Sequence, residues 1–316
     1  MKINQMPAIT WGRLDVNEAV IDDIEFANPL HPAETVPAGV DADDFEEGRK
    51  YVFHTSQEVP LRLDIATEDR SSTKIDIVVE EGMSAFVIEN ISSAEAGTGL
   101  IETSYSLAAN ASLKFVQIVR TGVDAKAVNR IKGNLAEDAD VSVIQIFTDS
   151  KANYTELKSD LDGSRSHLTA DIGYIVKTDD LLDMNYVITH KGKLSESLLT
   201  IDGVLYDGAS KTFRGTIDLK HGCAGAKGTE NENVLLIGDS MINKTVPVIL
   251  CDEEDVEGNH GATIGKLDED LVFYLESRGI DRDSIDRIMA DARIRRVASL
   301  ICDEETVKTI LDEEQE

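Results

Sequence analysis

Side chains that bind soft or borderline metals gather between residues 221 and 260. They are His221, Cys223, Glu230, Glu232, Cys251 and His260. Thiolate, imidazole and carboxylate in one neighbourhood suit iron. His221 and Cys223 are two apart, which on a strand puts both on one face. Cys251 and His260 follow about one repeat later, with Glu230 and Glu232 between. Each residue also has an ordinary reading, since a free cysteine packs as a small buried hydrophobe. His31 and His54, far upstream, suit surface or capping roles.

Other chemistry finds no motif. The segment His221-Gly222-Cys223-Ala224-Gly225-Ala226-Lys227-Gly228-Thr229 has Lys before Gly where a phosphate loop needs Gly-Lys-Ser/Thr, and no helix pattern follows it. Nucleotide binding by this chain is therefore not expected. There is no Gly-x-Ser-x-Gly elbow and no His-Glu-x-x-His. Carboxylates are too abundant for spacing to single out a catalytic pair. The expectation is a protein that is not an enzyme.

The elements that must position the metal-binding residues are strands. From about residue 61 the apolar pattern has period two. Lys74–Val79, Ala85–Ile88, Leu113–Ile118 and Val141–Ile146 alternate or run apolar. Small or acidic turns precede them, as at Glu81-Gly82, Ala109-Asn110, Glu137-Asp138 and Asp207-Gly208. The turns recur at roughly 28 residues early and roughly 16 late, a loose repeat. No helix-period segment of useful length interrupts the later part, which argues against alternating strands and helices. A β-solenoid, each coil burying its apolar face on the next, fits. An antiparallel sandwich or barrel fits the periodicity equally well.

The regions are 1–60, mixed; 61–266, the β core; and 267–316, helical. Trp11–Phe26 shows helical patches, and Asn28–Glu47 reads as a loop rich in Pro, Gly and acid. Leu267, Leu271, Tyr274 and Leu275 share one helix face, with Gly279 as the stop. Ile285 to Ile301 marks a second amphipathic helix, capped by Asp283 or Asp281. A third, capped by Asp303, holds Val307, Ile310 and Leu311. Asp312–Glu316 should fray.

Composition narrows the partners. The chain has 316 residues, 41% of them hydrophobic, 5% aromatic, and a net charge of −29. A surface this acidic repels phosphate backbones and anionic lipid, so no nucleic acid or membrane partner is expected. No apolar run near the N-terminus reads as a signal peptide, and no stretch of about 20 apolar residues occurs. Three cysteines without CxxC spacing make a disulfide framework improbable. A cytoplasmic location is the expectation.

The segment Pro247–Gly265, with His260-Gly261-Ala262-Thr263-Ile264-Gly265, resembles the C-terminal signature of the SufB/SufD family of iron–sulfur cluster assembly proteins. The resemblance continues through Phe273-Tyr274-Leu275-Glu276-Ser277-Arg278-Gly279-Ile280. Asn233–Gly238 resembles the family's preceding strand. The clear match covers residues 230 to 300. It implies a mainly β fold, a right-handed parallel β-helix core with a helical C-terminus, and so decides between solenoid and sandwich. It implies pairing through the β-helix, as a homodimer or with a SufB/SufD paralogue. It also implies docking of an ABC-type ATPase, SufC, on the C-terminal helices.

The site residues carry over in part. His260 matches the histidine that SufD-type members place at the subunit interface. Where SufB-type members carry a cysteine, this chain has Glu232. Where their histidine is followed by glutamate, it has Gly261. Cys223 is the candidate replacement thiolate, so that Cys223, Glu230, Glu232 and His260 would hold a transient [4Fe-4S] or [2Fe-2S] cluster. Val272, Phe273, Arg278, Arg293 and Arg296 are the expected partner-facing residues. The implied function is a cluster assembly scaffold, or alternatively an accessory SufD-like subunit beside a cysteine-bearing SufB.

Overall fold

The computed structural model describes residues 1–10, 12–45, 48–93 and 96–313. Short strands come first: β1 (Lys2–Ile3), β2 (Ala19–Val20), β3 (Asn28–Pro29), β4 (Ala33–Thr35) and β5 (Val40–Phe45). Coils then alternate between two sheets. The first strands are β6 (Gly48–Phe53), β7 (Leu61–Thr67), β8 (Ser71–Val79), β9 (Ser84–Ser93), β10 (Gly97–Leu107), β11 (Ser112–Arg120), β12 (Gly122–Leu135) and β13 (Asp140–Phe147). They continue with β14 (Ser150–Leu161), β15 (His167–Val176), β16 (Leu181–His190), β17 (Glu196–Tyr206), β18 (Ser210–Leu219), β19 (Lys227–Ile237), β20 (Ile242–Cys251) and β21 (Glu257–Gly265). Three helices follow: α1 (Glu269–Ser277), α2 (Arg282–Ala298) and α3 (Glu304–Glu313).

Even strands from β6 to β20 form one sheet, and odd strands from β7 to β21 the other. Every pairing within these two runs is parallel, as in β9–β11–β13. The molecule is a β-solenoid of about eight turns, not a sandwich. The interval of roughly 28 residues is one whole coil, since Ser84 registers with Ser112 and Ser112 with Asp140. The interval of roughly 16 is half a coil, from one turn column to the other.

The turns stack because one residue in each adopts a left-handed backbone. Gly82, Asn110, Asp138, Arg165, Leu194 and Gly225 have φ between 54° and 77°. Gly, Asn and Asp enter that region most readily. Each of their amides donates to a carbonyl of the next coil's turn at 2.6–3.0 Å, from Gly82 to Ala109 through Gly225 to Asp255.

Inside, the coils stack aliphatic side chains such as Ile75, Ile77, Leu113, Val141 and Leu199. One polar file interrupts them. Glu89, Gln117 and Gln145 are in register on adjacent odd strands. Gln117 donates to Glu89 at 2.8 Å, Gln145 to Gln117 at 2.8 Å, and Tyr186 to Gln145 at 2.6 Å. Thr103 donates to the other Glu89 oxygen at 2.9 Å. A network with its members paired is tolerable at this depth.

The two outer faces are covered differently. α2 and α3 lie on the odd sheet, where Ile294, Val297, Ala298, Ile301 and Ile310 pack on Phe86, Ile88, Val116 and Ile144. That second buried face is why the outward positions Phe86, Ile88, Ile144 and Ile146 are apolar as well. On the even sheet an N-terminal hairpin takes the same place, with Ile3 and Ala19 against Val128.

Several expectations are corrected. Residues 12–26 contain no helix; β2 and turns stand there, and Trp11 lies outside the described residues. The expected loop at 28–47 contains β3, β4 and β5, and Glu46 and Glu47 lie outside the described residues. Parallel pairing begins before residue 61, at Asn28 where β3 lies on β8 and again from Gly48 in β6. Asp281, not Asp283, caps α2 by accepting from the Ser284 amide at 2.9 Å. Asp303 accepts from Thr306 at 2.9 Å as the cap of α3. Of the tail, residues 314–316 lie outside the described residues. Among the described residues no helix is long and apolar enough to cross a membrane.

Candidate functional site

The last coil has no coil after it, so its interior opens as a mouth. β19 turns Gly228, Glu230, Glu232 and Val234 inward, all buried. β21 lies on β19 with His260 in register with Glu230, and Ala262 with Glu232. In-register residues of parallel strands share a face, so His260 stands over Glu230 on the lumen side. From Glu257 to Ile264 every residue of β21 is exposed.

The opposite wall comes from β18 and β20. Gly215 faces Glu230; a Cβ there would meet the Glu230 carboxyl at 1.8 Å, so only glycine leaves room. Lys211 is fully buried and donates to Glu232, and to Thr245 at 3.0 Å. Thr245 donates to the other Glu232 oxygen at 2.8 Å. The ammonium and Glu232 thus neutralise each other in a dry place. Burial lowers the Lys211 pKa against the pull of Glu232. Burial first, then the charge of Glu232, pushes Glu230 up to about 8, so it is largely protonated at neutral pH. The mouth therefore presents an exposed imidazole, a neutral carboxyl beneath it, and a carboxylate already engaged.

Cys223 stands apart from this group. It is fully buried in the turn before β19, among Ile217, Leu219 and Ala226. Burial raises its thiol pKa, and the charges it senses are those of Glu253, Cys251 and Asp218, not Glu230 or Glu232. The expected cluster of Cys223, Glu230, Glu232 and His260 is thus not assembled within one chain. The structure brings Glu230, Glu232 and His260 together and leaves Cys223 in an apolar turn. Among the described residues no three His, Cys, Asp or Glu side chains of one chain are placed to hold a metal ion.

The exposed thiol near the mouth is Cys251, in register with Leu219 at the end of β20. It lies 3.1 Å from the Glu253 carbonyl. His221 is on the surface with Glu253 at 3.8 Å. Sequence reasoning gave no role to Lys211, Gly215 or Thr245. Lys211 was findable as a lone cation in the inward alternation Lys211, Phe213, Gly215, Ile217; its partner on another strand was not.

The expected partner-facing residues divide. Phe273 is 72% exposed, with Leu271, Tyr274 and Ile288 also on the surface. Val272 is buried, so the helix faces are reversed: α1 packs through Val272 and shows Leu271 and Tyr274. Arg278 lies over the Tyr274 ring at 5.1 Å. Arg293 reaches Asp202 at 3.3 Å, and Arg296 pairs with Asp202 and with Asp171 at 3.5 Å. These two arginines fasten α2 to the odd sheet.

The fold and the mouth define a class: β-solenoids whose polar open end bears an unpaired strand edge. Residues 64–293 match the SufBD core domain of SUF system FeS cluster assembly. The chain is 34% identical over 102 residues to the iron–sulfur cluster assembly protein SufD of Bacillus subtilis, covering 32% of this chain and 23% of that one. It is 24% identical over 234 residues to SufD of Escherichia coli, covering 73% of this chain and 55% of that one. A chloroplastic SufBD family protein of Arabidopsis thaliana is 30% identical over 122 residues, 39% of this chain and 22% of that one. These matches span about half the length of the relatives, or less. The chain belongs to the SufBD family of SUF-system iron–sulfur cluster assembly proteins.

Proposed function

We propose that this chain is a scaffold subunit, not an enzyme, on which iron and sulfide are gathered as cargo at a seam between two solenoids. One observation carries the reading. β21 is exposed along its length, an unpaired strand edge, and it holds His260 over Glu230 at the open end of the core. A bare edge of this kind invites another strand. A second solenoid set against it would bring its own ligands to His260, which one chain cannot complete alone. The second solenoid is another copy of the chain or a family paralogue. An ABC-type ATPase of the SUF system would dock on the helical segment, where Leu271, Phe273, Tyr274 and Ile288 are exposed. ATP binding there would shift the seam through its differential affinity for two states.

The test is co-expression with the SUF ABC ATPase, anaerobic purification, and counting of iron and sulfide. Bound iron and sulfide are expected, falling at least tenfold in His260→Ala. Equal counts in the two proteins would refute the reading. A second reading, an accessory subunit beside a cysteine-bearing paralogue, is favoured by the engagement of Glu232 with Lys211 and Thr245. In that case the chain alone holds no cluster, and the mixture with the paralogue does.

A further inference from the structure

Two of the three thiols meet at the turn end of the mouth. Cys251 closes β20 in register with Leu219 of β18, so it shares the face of Leu219. That face is the inner one: a Cβ on Gly258 of β21 would stand 3.0 Å from Ile249 and 3.6 Å from Leu219. Cys223 packs into the same place, among Ile217, Leu219 and Ala226, with Ile249 against them. The backbone brings the two segments to one point. The turn after β18 folds back so that the Cys223 amide donates to the Lys220 carbonyl at 3.2 Å. The Asp252 amide, next to Cys251, donates to the Leu219 carbonyl at 2.8 Å. Glu253 ties the segments a third time. Its carboxylate accepts from the Gly222 amide at 2.9 Å, and its carbonyl accepts from the Cys251 thiol at 3.1 Å.

The two thiols differ in access. Cys251 is exposed and Cys223 is fully buried. After burial, the charge of Cys251 is among those that raise the Cys223 pKa, so each sulfur lies within the field of the other. The third thiol, Cys302, stands elsewhere, 2.9 Å from the Lys114 ammonium of β11. An exposed thiol with a second one behind it lets an oxidised cysteine be resolved instead of lost to further oxidation.

We propose that Cys251 and Cys223 are a redox pair that closes to a disulfide and staples β20 to the turn before β19. A peroxide is the oxidant. One oxygen of hydrogen peroxide adds to the Cys251 thiol, giving a sulfenic acid and releasing one water. The Cys223 sulfur then displaces hydroxide from that sulfenic acid, and its own proton leaves with the hydroxide as a second water. Two thiols and one peroxide thus become one disulfide and two waters. A thiol reductant reverses the step by exchange. The closed bond encloses β19 and β20 in a covalent loop and fixes the strand that ends the even sheet. It also withdraws the exposed thiol of the mouth from any metal or sulfide there. The device needs one chain only and works whether or not two solenoids pair.

The test uses the full chain carrying Cys302→Ser, so that Cys223 and Cys251 are its only thiols. Cys302 is exposed, and circular dichroism checks that the fold is kept. The reduced protein is treated with excess hydrogen peroxide, and its thiols are counted after unfolding. The expected result is loss of both thiols, a mass lower by two hydrogens, a linked Cys223–Cys251 peptide, and recovery of both thiols with dithiothreitol. In Cys251→Ser/Cys302→Ser the Cys223 thiol should survive the same treatment at least tenfold longer. A Cys302→Ser chain that gains oxygen at Cys251 while Cys223 stays free overturns the proposal. So does a disulfide that joins two chains, and so do two thiols that both survive.

Discussion

Lys211 and Glu232 are both fully desolvated, and each is the other's counter-charge. Removing one leaves the other charged and unpaired in the core, which costs roughly 3–5 kcal/mol. Lys211→Met should therefore lower unfolding stability by about that much, measured by urea denaturation. Lys211→Met/Glu232→Leu should recover most of it, because a pair of similar apolar groups needs no counter-charge. Glu89 makes a different prediction. Burial raises its pKa from 4.5 to about 7, so the native state holds a proton that the unfolded chain releases. Stability from this group is complete below pH 4.5 and is lost as pH rises to about 7, on the order of 3 kcal/mol in all. Glu89→Gln, whose amide keeps the neutral shape, should lack that loss; a stability difference between the two proteins that does not change with pH would count against it. Some of this was legible in sequence and some was not. Glu230 and His260 lie one coil apart, and the repeat already put them near each other. Cys223 looked equivalent by the same counting, yet it falls in a turn, where strand alternation no longer says which way a side chain points.

At the scale of the element, the turn column shows where the repeat is strained. Five of its six members are Gly, Asn, Asp or a solvated arginine, but Leu194 holds φ 57° with a branched apolar side chain. A left-handed residue of that kind costs roughly 1–2 kcal/mol, and asparagine tolerates the same backbone better. Leu194 is 54% exposed, so little packing is lost on replacement. Leu194→Asn should stabilise the protein by about 1 kcal/mol, seen as a higher thermal midpoint. The opposite change, Gly82→Ala at φ 70°, should destabilise it by a similar amount; equal midpoints for all three would show that the column is not strained. The elements themselves were mostly readable. Period-two segments became strands, α1 stops just before Gly279, and α2 and α3 begin after Asp281 and Asp303. The hairpin was missed because its two strands have two residues each, too short for a period, and its contacts lie on strands up to about 230 residues away. The ion-pair partners of the arginines of α2 were hidden for a related reason. Asp171 and Asp202, which pair with Arg293 and Arg296, lie on strands of the odd sheet about 90 residues or more away.

At the scale of the whole molecule the repeat set the architecture, because only stacked coils let short strands with apolar inner faces bury one another. What the repeat could not set is how the stack stops. One end is closed by β4 and β5, which pair antiparallel on β7 and β6. The other end ends bare at β20 and β21. The proposed self-pairing through that bare end would have to work against charge, since each chain carries −29. Screening shortens the reach of that repulsion from about 10 Å at 0.1 M salt to about 3 Å at 1 M, while apolar contact at the edge is left intact or strengthened. Self-association should accordingly tighten with salt, by roughly fivefold or more between those concentrations, in a sodium chloride series followed by sedimentation velocity. Dissociation on adding salt would mean that ion pairs, not the apolar edge around Ile242 and Ile264, hold the two solenoids together.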